Sequence, residues 1–290
     1  MGRKSSLWLA MLPVLAIIGL FTLYPFAHAA VTSVRQNVAT RPGIHPFVGL
    51  RNYEQVVGEP MFSSSATNTL LFTAATVPLV VFAGMAVALL LHQSFPGVRL
   101  LRVFVILPWA IPLVSAGIMW RLMLHGNFGA INGLLLQFGI IDGYRSWMSD
   151  PDWARAAVVF AHVWREFPLA AILFLAGLQA IPDELHEAAS LDGAGAWSRF
   201  RHISLPLLRA PLLIVLVYET MIALAVFDLV YVMTGGGPGS ATTLFSWFTY
   251  VTTFRFLDFG RGAALSFIMA IALVLLIVLY LRVLKPEEAL

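Results

Sequence analysis

The sequence predicts an all-α polytopic membrane protein with six transmembrane helices, and three observations carry that prediction. Only 11% of the 290 residues are charged, 59% are hydrophobic, and several long runs contain no charged residue. A soluble domain carries about a quarter charged residues, and it needs a polar surface. The same composition excludes a disordered chain. We therefore expect a single transmembrane domain over residues 1–290, with lipid as its main solvent.

The charge-free runs locate four of the six spans, because a bilayer crossing needs about 20 mostly apolar residues. They predict helices at about 8–32, 67–91, 101–123 and 260–282. Two further apolar segments, about 154–180 and about 208–233, carry charges at bilayer depth. We count both as spans, which gives six.

Two other apolar segments are not counted as spans. The stretch 122–141 has no charge but is interrupted by glycines and asparagines, among them Gly129 and Asn132. We expect a re-entrant or surface segment there. The stretch 241–254 is short and rich in threonine and aromatic residues. Aromatic rings favour the membrane–water interface, so an interfacial helix is expected.

The basic residues set the expected orientation. With the amino terminus inside, nine basic residues fall in cytoplasmic segments and seven in the longer outer loops. Lys4 and Lys285 lie near opposite ends of the chain, and both can be cytoplasmic only if the number of spans is even. We therefore predict that both termini are cytoplasmic. A cleaved signal sequence is the alternative for the first segment, because Ala27-His28-Ala29 has the small-x-small form of a cleavage site.

The segment 181–206, between the fourth and fifth spans, has the local signals of a helix-turn-helix. Pro182 suits the first position of a helix, and the acidic residues after it suit the positive helix dipole. Gly193 can adopt the left-handed conformation that ends a helix. A second short helix is expected at 196–202, and Pro206 is expected to open the next span. An ordinary connecting loop is the alternative, which helix propensity alone does not reject.

This segment resembles the cytoplasmic loop of binding-protein-dependent ABC importer permeases. Their pattern is Glu-Ala-Ala, three residues, Gly, nine residues and Ile-x-Leu-Pro. The chain matches every fixed position and both spacings, at Glu187-Ala188-Ala189, Gly193 and Ile203-x-Leu205-Pro206. Shorter motifs, such as Thr234-Gly235-Gly236-Gly237-Pro238, resemble the sugar-type permeases similar to the maltose, trehalose and glycerol-phosphate systems.

The resemblance implies the transmembrane fold of a type I ABC importer and gives roles to two loops. The loop 183–203 would be the coupling helix that docks on a cytoplasmic ATPase. Gly235, Gly236, Gly237 and Pro238 would lie at the outer mouth, where a binding protein docks. The residues implied in coupling are Glu187, Ala188, Ala189, Asp192, Gly193, Ile203, Leu205 and Pro206.

The sequence lacks an ATP-binding site of its own. A phosphate-binding loop needs Gly-x-x-x-x-Gly-Lys-Ser/Thr, and neither Lys4 nor Lys285 follows a glycine. We expect no catalytic residue, metal or cofactor in this chain, with Mg-ATP bound by partner ATPase subunits. The start of a metalloprotease pattern at His186 fails at Ser190, and the chain has no cysteine. The net charge of +3 is too small to indicate a nucleic-acid partner.

Charged residues inside the predicted spans usually face a bundle interior or a wet cavity. Arg165 lies about eleven residues from the outer end of its span and Glu219 about eleven from the inner end, so both lie about 16 Å deep. We expect a salt bridge between the two helices, lining of the translocation path, or both. Asp228 with Tyr231 is a candidate sugar contact, because carboxylates bind hydroxyls and aromatic rings stack on sugars. The substrate-path candidates are therefore Arg165, Glu219, Asp228, Tyr231, Trp164 and Asn132.

Prolines and glycines are expected to interrupt two of the spans. Pro108, Pro112 and Gly117 would break the third helix, and Pro78 with Gly84 would perturb the second. Transporters commonly place broken helices beside the substrate site. Prolines also occur in membrane helices without that role, so both interpretations stay open.

Together these features predict the membrane-spanning subunit of an ATP-driven bacterial sugar importer in the cytoplasmic membrane. The partners implied are a second homologous permease subunit, two copies of a cytoplasmic ATPase and an extracytoplasmic solute-binding protein. A disaccharide is the preferred substrate. The alternative is a stand-alone ion-driven carrier that uses Arg165, Glu166, Glu219 and Asp228 as a relay.

Overall fold

The computed structural model describes residues 3–40, 43 and 45–283, with the backbone alone for residues 3–10. Apart from two isolated bridges, the described residues contain no β-structure. Four helices are long and apolar enough to cross a membrane, or six when each of two bent helix pairs counts as one span. The predicted number of six spans agrees with the larger count. Lys285, which entered the orientation argument, lies outside the described residues.

The described part of the chain forms fifteen α-helices. They are α1 (Arg3–Ile18), α2 (Tyr24–Ser33), α3 (Arg51–Val57), α4 (Pro60–His92), α5 (Val98–Ala110), α6 (Leu113–Met123), α7 (Ala130–Gln137), α8 (Pro151–Gln179), α9 (Asp183–Leu191), α10 (Ala196–Arg199), α11 (Leu205–Leu207), α12 (Arg209–Ala225), α13 (Asp228–Met233), α14 (Phe245–Tyr250) and α15 (Phe259–Val283). A π turn at Gly19–Leu23 joins α1 to α2.

The third predicted span consists of two helices, α5 and α6, whose directions differ by 94°. They meet at Ile111, which is extended (φ −77°, ψ 128°), as expected for a residue before proline. Pro112 has no N–H to continue the helix. The predicted break is therefore confirmed at Pro112. It is wrong for Pro108 and Gly117, which lie inside α5 and α6.

The second predicted span is the uninterrupted 33-residue helix α4, which runs through Pro78 and Gly84. Neither residue interrupts the helix. Membrane helices tolerate proline where neighbours satisfy the freed backbone groups. Gly84 instead allows close packing, since a Cβ atom there would lie only 2.6 Å from the Cβ of Ala170 on α8.

The fifth predicted span, 208–233, has a bend at its start and a break near its end. At the start, the helical segment 196–207 meets α12 at an angle of 66°. At the other end, α12 stops at Ala225, and Val226 is extended (φ −60°, ψ 121°) before α13 begins. The hydroxyl of Ser246 donates a 2.5 Å hydrogen bond to the carbonyl oxygen of Val226. A side chain thus satisfies a backbone group that the helix break leaves without a helical partner.

The chain divides into two compact units. The first comprises residues 1–63 and 248–271. Inside it, Arg261 at the start of α15 forms ion pairs with Asp258 at 2.7 Å and with Glu59 at 2.6 Å. The three side chains are partly buried, so they fasten the beginnings of α15 and α4 within this unit.

The second unit comprises residues 64–247 and 272–290. Its long helix α8 begins at a cap, where Asp150 Oδ1 accepts hydrogen bonds from the N–H groups of Asp152 and Trp153. This arrangement satisfies two of the free donors at a helix start. The apolar core of the unit is built from α4, α8 and α12 and includes Val80, Ala88, Phe174, Leu178, Leu208 and Val215.

Neither segment that we excluded from the spans forms a helix of spanning length among the described residues. The first contains only the eight-residue helix α7. The helix in the stretch 241–254 begins at Phe245 rather than at residue 241, and Phe245 and Trp247 are buried within the chain. One reason is that Asn68 and Thr69 on α4 form hydrogen bonds to this segment. The interfacial depth of this helix stays a prediction.

Candidate functional site

The segment between α8 and α12 folds as a helix-turn-helix, as the sequence predicts. Helix α9 follows Pro182, which caps the helix rather than occupying its first position, and Asp183 and Glu184 lie in the first turn. The helix ends at Leu191. Gly193 then adopts φ +80°, a left-handed conformation that is costly for residues with a Cβ atom. The predicted stop at Gly193 is confirmed.

The second half of this segment is continuous with the core of the second unit. Helix α10 begins at Ala196, as predicted, and continues through a π turn into α11. Ile203 packs against the apolar core. Pro206 lies inside α11, and the long helix begins only at Arg209. The prediction that Pro206 opens the next span is therefore wrong, because a bend separates them.

Large apolar side chains lie exposed on both sides of the Gly193 turn. Leu191 is 90% exposed and Trp197 is 70% exposed. Exposed apolar surface on a folded segment often marks a contact with another molecule. The predicted coupling residues divide into exposed ones (Glu187, Ala188, Asp192, Gly193, Leu205) and partly buried ones (Ala189, Ile203, Pro206).

A cavity of about 420 Å³ lies between this loop and the ends of α4 and α8. Its polar and charged lining side chains are His92, Asp183, His186, Glu187, Ser190, Arg199 and Ser204. Glu187 of the loop motif therefore faces a polar cavity. The apolar surface at Leu191 and Trp197 is separate from that lining.

One hydrogen-bonded pair and one ion pair lie among the long helices of the second unit. His162 Nε2 on α8 and Glu219 Oε1 on α12 are 2.7 Å apart, with side chains 0% and 1% exposed. Arg165 pairs with Glu166 on the same helix. The predicted salt bridge between Arg165 and Glu219 is therefore wrong in its partners, because helix rotation brings His162 to Glu219 instead.

Asp228 and Tyr231, the predicted sugar contact, both lie on the short helix α13 after the break at Val226. Tyr231 is 46% exposed, and its ring lies 5.4 Å from that of Phe227 and 5.7 Å from that of Trp247. Asp228 is half-buried and forms no ion pair with a described residue. An acidic group thus lies beside an aromatic cluster at a helix break.

The two lower-ranked candidates have different surroundings. Trp164 is half-buried and packs edge-on against Trp120, with ring centroids 5.5 Å apart. Asn132 is fully buried, and its amide bonds to the backbone of His125 and Arg145 and to Trp147 Nε1 at 2.8 Å. Because this network occupies its polar atoms, the structure favours a structural role for Asn132.

The glycine-rich loop after α13 is a compact turn. Gly235 and Gly236 have φ of +61° and +90°. A Cβ atom on Gly236 would lie 2.6 Å from Trp247 Nε1, so only glycine fits against that ring. Gly237 and Pro238 also line a polar cavity of about 460 Å³. Its other polar lining residues are Arg121, His125, Asn127, Ser146, Ser149 and Thr234.

Sequence reasoning missed two contributors to these sites. His162 was not among the candidate residues, although its spacing to Arg165 and Glu166 places the three on one helix face. Trp247 was assigned to an interfacial helix. Its contact with the ring of Phe227 joins segments 20 residues apart in the chain, which no local pattern reveals. Among the described residues, no group of three or more His, Asp or Glu side chains could hold a metal ion.

A polytopic helical fold with a folded loop of this pattern defines a transport permease. The chain belongs to the binding-protein-dependent transport system inner membrane component family, whose model matches residues 63–285. It is therefore a multi-pass protein of the inner membrane.

The relatives agree with this assignment. The chain is 36% identical over 288 residues to the sulfoquinovosyl glycerol transport system permease protein of Agrobacterium fabrum, covering 99% of this chain and 93% of that protein. It is 37% identical over 282 residues to the trehalose/maltose transport system permease protein of Thermococcus litoralis, covering 97% and 94%.

The fold is also similar to a solved one. A crystal structure of a bacterial ABC transporter involved in the import of the acidic polysaccharide alginate contains a chain that matches with a TM-score of 0.84 and 19% identity. The match covers 98% of this chain and 96% of that chain. The fold is thus that of type I ABC importer permeases, as the sequence predicts.

Proposed function

We propose that this chain is the membrane-spanning subunit of an ATP-driven importer for a sugar, and that it forms half of the translocation path. In this proposal, the loop 183–203 docks on a cytoplasmic ATPase and transmits its closure to the membrane helices. Both termini are cytoplasmic. Mg-ATP binds to two ATPase copies, because this chain lacks a phosphate-binding loop.

The observation that carries the coupling role is the exposed apolar surface beside the Gly193 turn. Leu191 and Trp197 are 90% and 70% exposed on a segment whose carboxyl end packs into the core. A folded loop that presents such side chains suits a contact that buries them. The Glu-Ala-Ala motif places small side chains on α9, which permit close approach of a partner.

The sugar class is supported by the named transport systems of the relatives and by the residues around the helix break. The relatives' systems carry sulfoquinovosyl glycerol and trehalose or maltose, and a disaccharide stays our preferred substrate. Asp228 and Tyr231 lie beside Phe227 and Trp247, which gives a carboxylate for hydroxyl groups and aromatic faces for a sugar ring.

Two further partners are part of the proposal. The most apolar stretch of the segment Met11–Ser33 buries none of its residues within the chain, and that of α15 buries 11%. Such faces suit lipid or a second, homologous permease subunit. The polar cavity beside Gly237 and Pro238 suits an extracytoplasmic solute-binding protein, which would deliver the sugar there.

The alternative of an ion-driven carrier has less support. It requires a relay of charged groups, yet Arg165 pairs with Glu166 and Glu219 pairs with His162. Membership of a binding-protein-dependent family also favours ATP as the energy source. A carrier of this kind would transport in liposomes without ATPase subunits.

The test compares Trp197→Asp with Phe138→Asp in the complete transporter. Both wild-type side chains are exposed aromatics, at 70% and 74%, so neither substitution disturbs a core. Phe138 lies outside the loop. We expect Trp197→Asp to abolish co-purification of the ATPase and to uncouple ATP hydrolysis from uptake, whereas Phe138→Asp keeps both. Glu187→Lys and Gly193→Asp should also uncouple them.

The proposal fails if Trp197→Asp, Glu187→Lys and Gly193→Asp all leave ATPase binding and uptake at the wild-type level with normal expression. Uptake is measured with radiolabelled trehalose and maltose in parallel. If neither sugar is taken up while the solute-binding protein still stimulates ATP hydrolysis, the sugar preference is wrong and the coupling role stands.

A further inference from the structure

A buried polar link joins the two helices that enter and leave the loop. Helix α8 leads into the loop and α12 leads out of it. His162 on α8 and Glu219 on α12 are bonded at 2.7 Å, and neither side chain reaches solvent. Removing one partner leaves the other buried and unpaired, so the bond fixes the relative position of the two helices.

A second attachment between the same segments lies close to the loop. A Cβ atom on Gly177 of α8 would be 2.6 Å from Pro211 Cγ and 2.8 Å from Leu208 Cδ2, so the helix surfaces touch there. Residues 162 and 177 are separated by about 22 Å of helix. Two attachments that far apart prevent one helix from pivoting on the other.

The polar atoms around the link have few partners. Arg165 pairs with Glu166 on α8, beside the bond between His162 and Glu219. The described residues offer no further hydrogen bond to Oε2 of either glutamate or to Nδ1 of His162. A glutamine at 219 keeps an amide oxygen that can accept the hydrogen bond from His162 Nε2, and it removes the carboxylate.

We propose that His162 and Glu219 are a positioning pair that makes α8, α12 and the intervening loop move as one body. This inference rests on the proposed coupling function of the loop. Glu219 lies two helical turns before the break at Val226. Motion of the loop thereby reaches that break, and with it Asp228 on α13, instead of being lost in sliding between α8 and α12.

The test measures the distance between α8 and α12 during the nucleotide cycle. The chain has no cysteine, so spin labels can be attached at Phe160→Cys and Met221→Cys, two exposed positions on α8 and α12. The assembled transporter, with its ATPase subunits and binding protein in lipid nanodiscs, is measured with and without a non-hydrolysable ATP analogue.

We expect the distance to be independent of nucleotide in the wild type and in Glu219→Gln. In Glu219→Leu we expect a nucleotide-dependent shift of about 2 Å or more. ATP hydrolysed per sugar transported should rise by about fivefold or more. The variant His162→Leu/Glu219→Leu leaves no buried partner unpaired. If Glu219→Leu alone fails to fold, the same distance and the same ratio are measured in this double variant. Thr220→Val is the control, because Thr220 is also buried on α12 but bonds to Tyr280.

The inference is overturned if the double leucine variant keeps a nucleotide-independent distance and the wild-type ratio of hydrolysis to transport, or if Thr220→Val gives the same shift. A third label, at Leu191→Cys, separates this result from the proposed function. If adding the ATPase does not immobilise that label, the docking role fails. If it does, while α8 and α12 slide in the wild type, only the positioning role fails.

Discussion

Gly84 permits a close contact between α4 and α8, and Gly84→Ala tests whether that contact is required. A Cβ atom at this position would lie 2.6 Å from the Cβ of Ala170 and 3.1 Å from backbone atoms of Ala170 and Ala171. These atoms belong to the body of α8 and cannot rotate away as the end of a flexible side chain can.

The expected cost follows from these distances. Carbon atoms in contact lie about 3.5–4.0 Å apart, so α4 and α8 must separate by about 1 Å. Overpacking of this kind costs about 1–3 kcal/mol, offset in part by a gain of up to about 1 kcal/mol when alanine replaces glycine in a helix. We expect a net loss of stability of about 1–2 kcal/mol.

The assay is thermal unfolding of the purified protein in detergent, followed by the fluorescence of its eight tryptophans. Gly84→Ala should lower the melting temperature by several degrees. Gly84→Ala/Ala170→Gly should recover part of the loss, because it removes the Cβ that the new methyl group meets, while the backbone contacts at 3.1 Å remain. Gly133→Ala is the control, with only an ordinary contact of 3.5 Å to the hydroxyl of Tyr144. A wild-type melting temperature for Gly84→Ala, or no recovery in the double variant, refutes the reasoning.

Three further predictions concern polar side chains. Asn132→Ala should cost about 1–3 kcal/mol, since it leaves Trp147 Nε1 without its acceptor, and a melting temperature equal to that of wild type contradicts this. Ser246→Ala should cost a similar amount, about 1–3 kcal/mol, by removing the donor to the Val226 carbonyl; Ser246→Thr, which keeps a hydroxyl, is the comparison in the same unfolding assay. Asp228→Asn should raise the KM for sugar uptake about tenfold by weakening a charged hydrogen bond without lowering the melting temperature, and an unchanged KM removes Asp228 from the sugar site.

The spans could be predicted because their signal is local. Hydropathy placed the last span at 260–282, and α15 runs from Phe259 to Val283. The start of α4 could not be predicted from apolarity, because the helix begins at Pro60 with serine-rich turns. Proline favours a break because it lacks an N–H group, and the break occurs at Pro112. Pro108 lies inside α5, so the residue type alone does not tell which proline ends the helix.

In the candidate site, too, local features could be predicted and features that depend on helix packing could not. The turn at Gly193 depends on one residue's backbone freedom, and the sequence predicts it. The partner of Glu219 depends on the rotation of α12 against α8, which is set by packing along the whole interface. Depth along the helices indicated Arg165 as the partner of Glu219, whereas the rotation of the helices places His162 there. Likewise, the aromatic content of its segment predicted a surface position for Trp247. In the structure Trp247 is buried, and hydrogen bonds from α4 hold the residues just before it.

The attachments of α8 indicate where the molecule can bend. Steric contact at Gly84 fixes α4 against α8, and the bond to Glu219 and the contact at Gly177 fix α12 against it. A helix held at three points moves as a rigid element. The helical backbone is interrupted instead by extended residues at Ile111 and at Val226, inside the third and fifth predicted spans. If the loop drives a conformational change, as proposed, these breaks are where it would be taken up, and the residues that follow Val226 include the aromatic and acidic side chains proposed to contact the sugar.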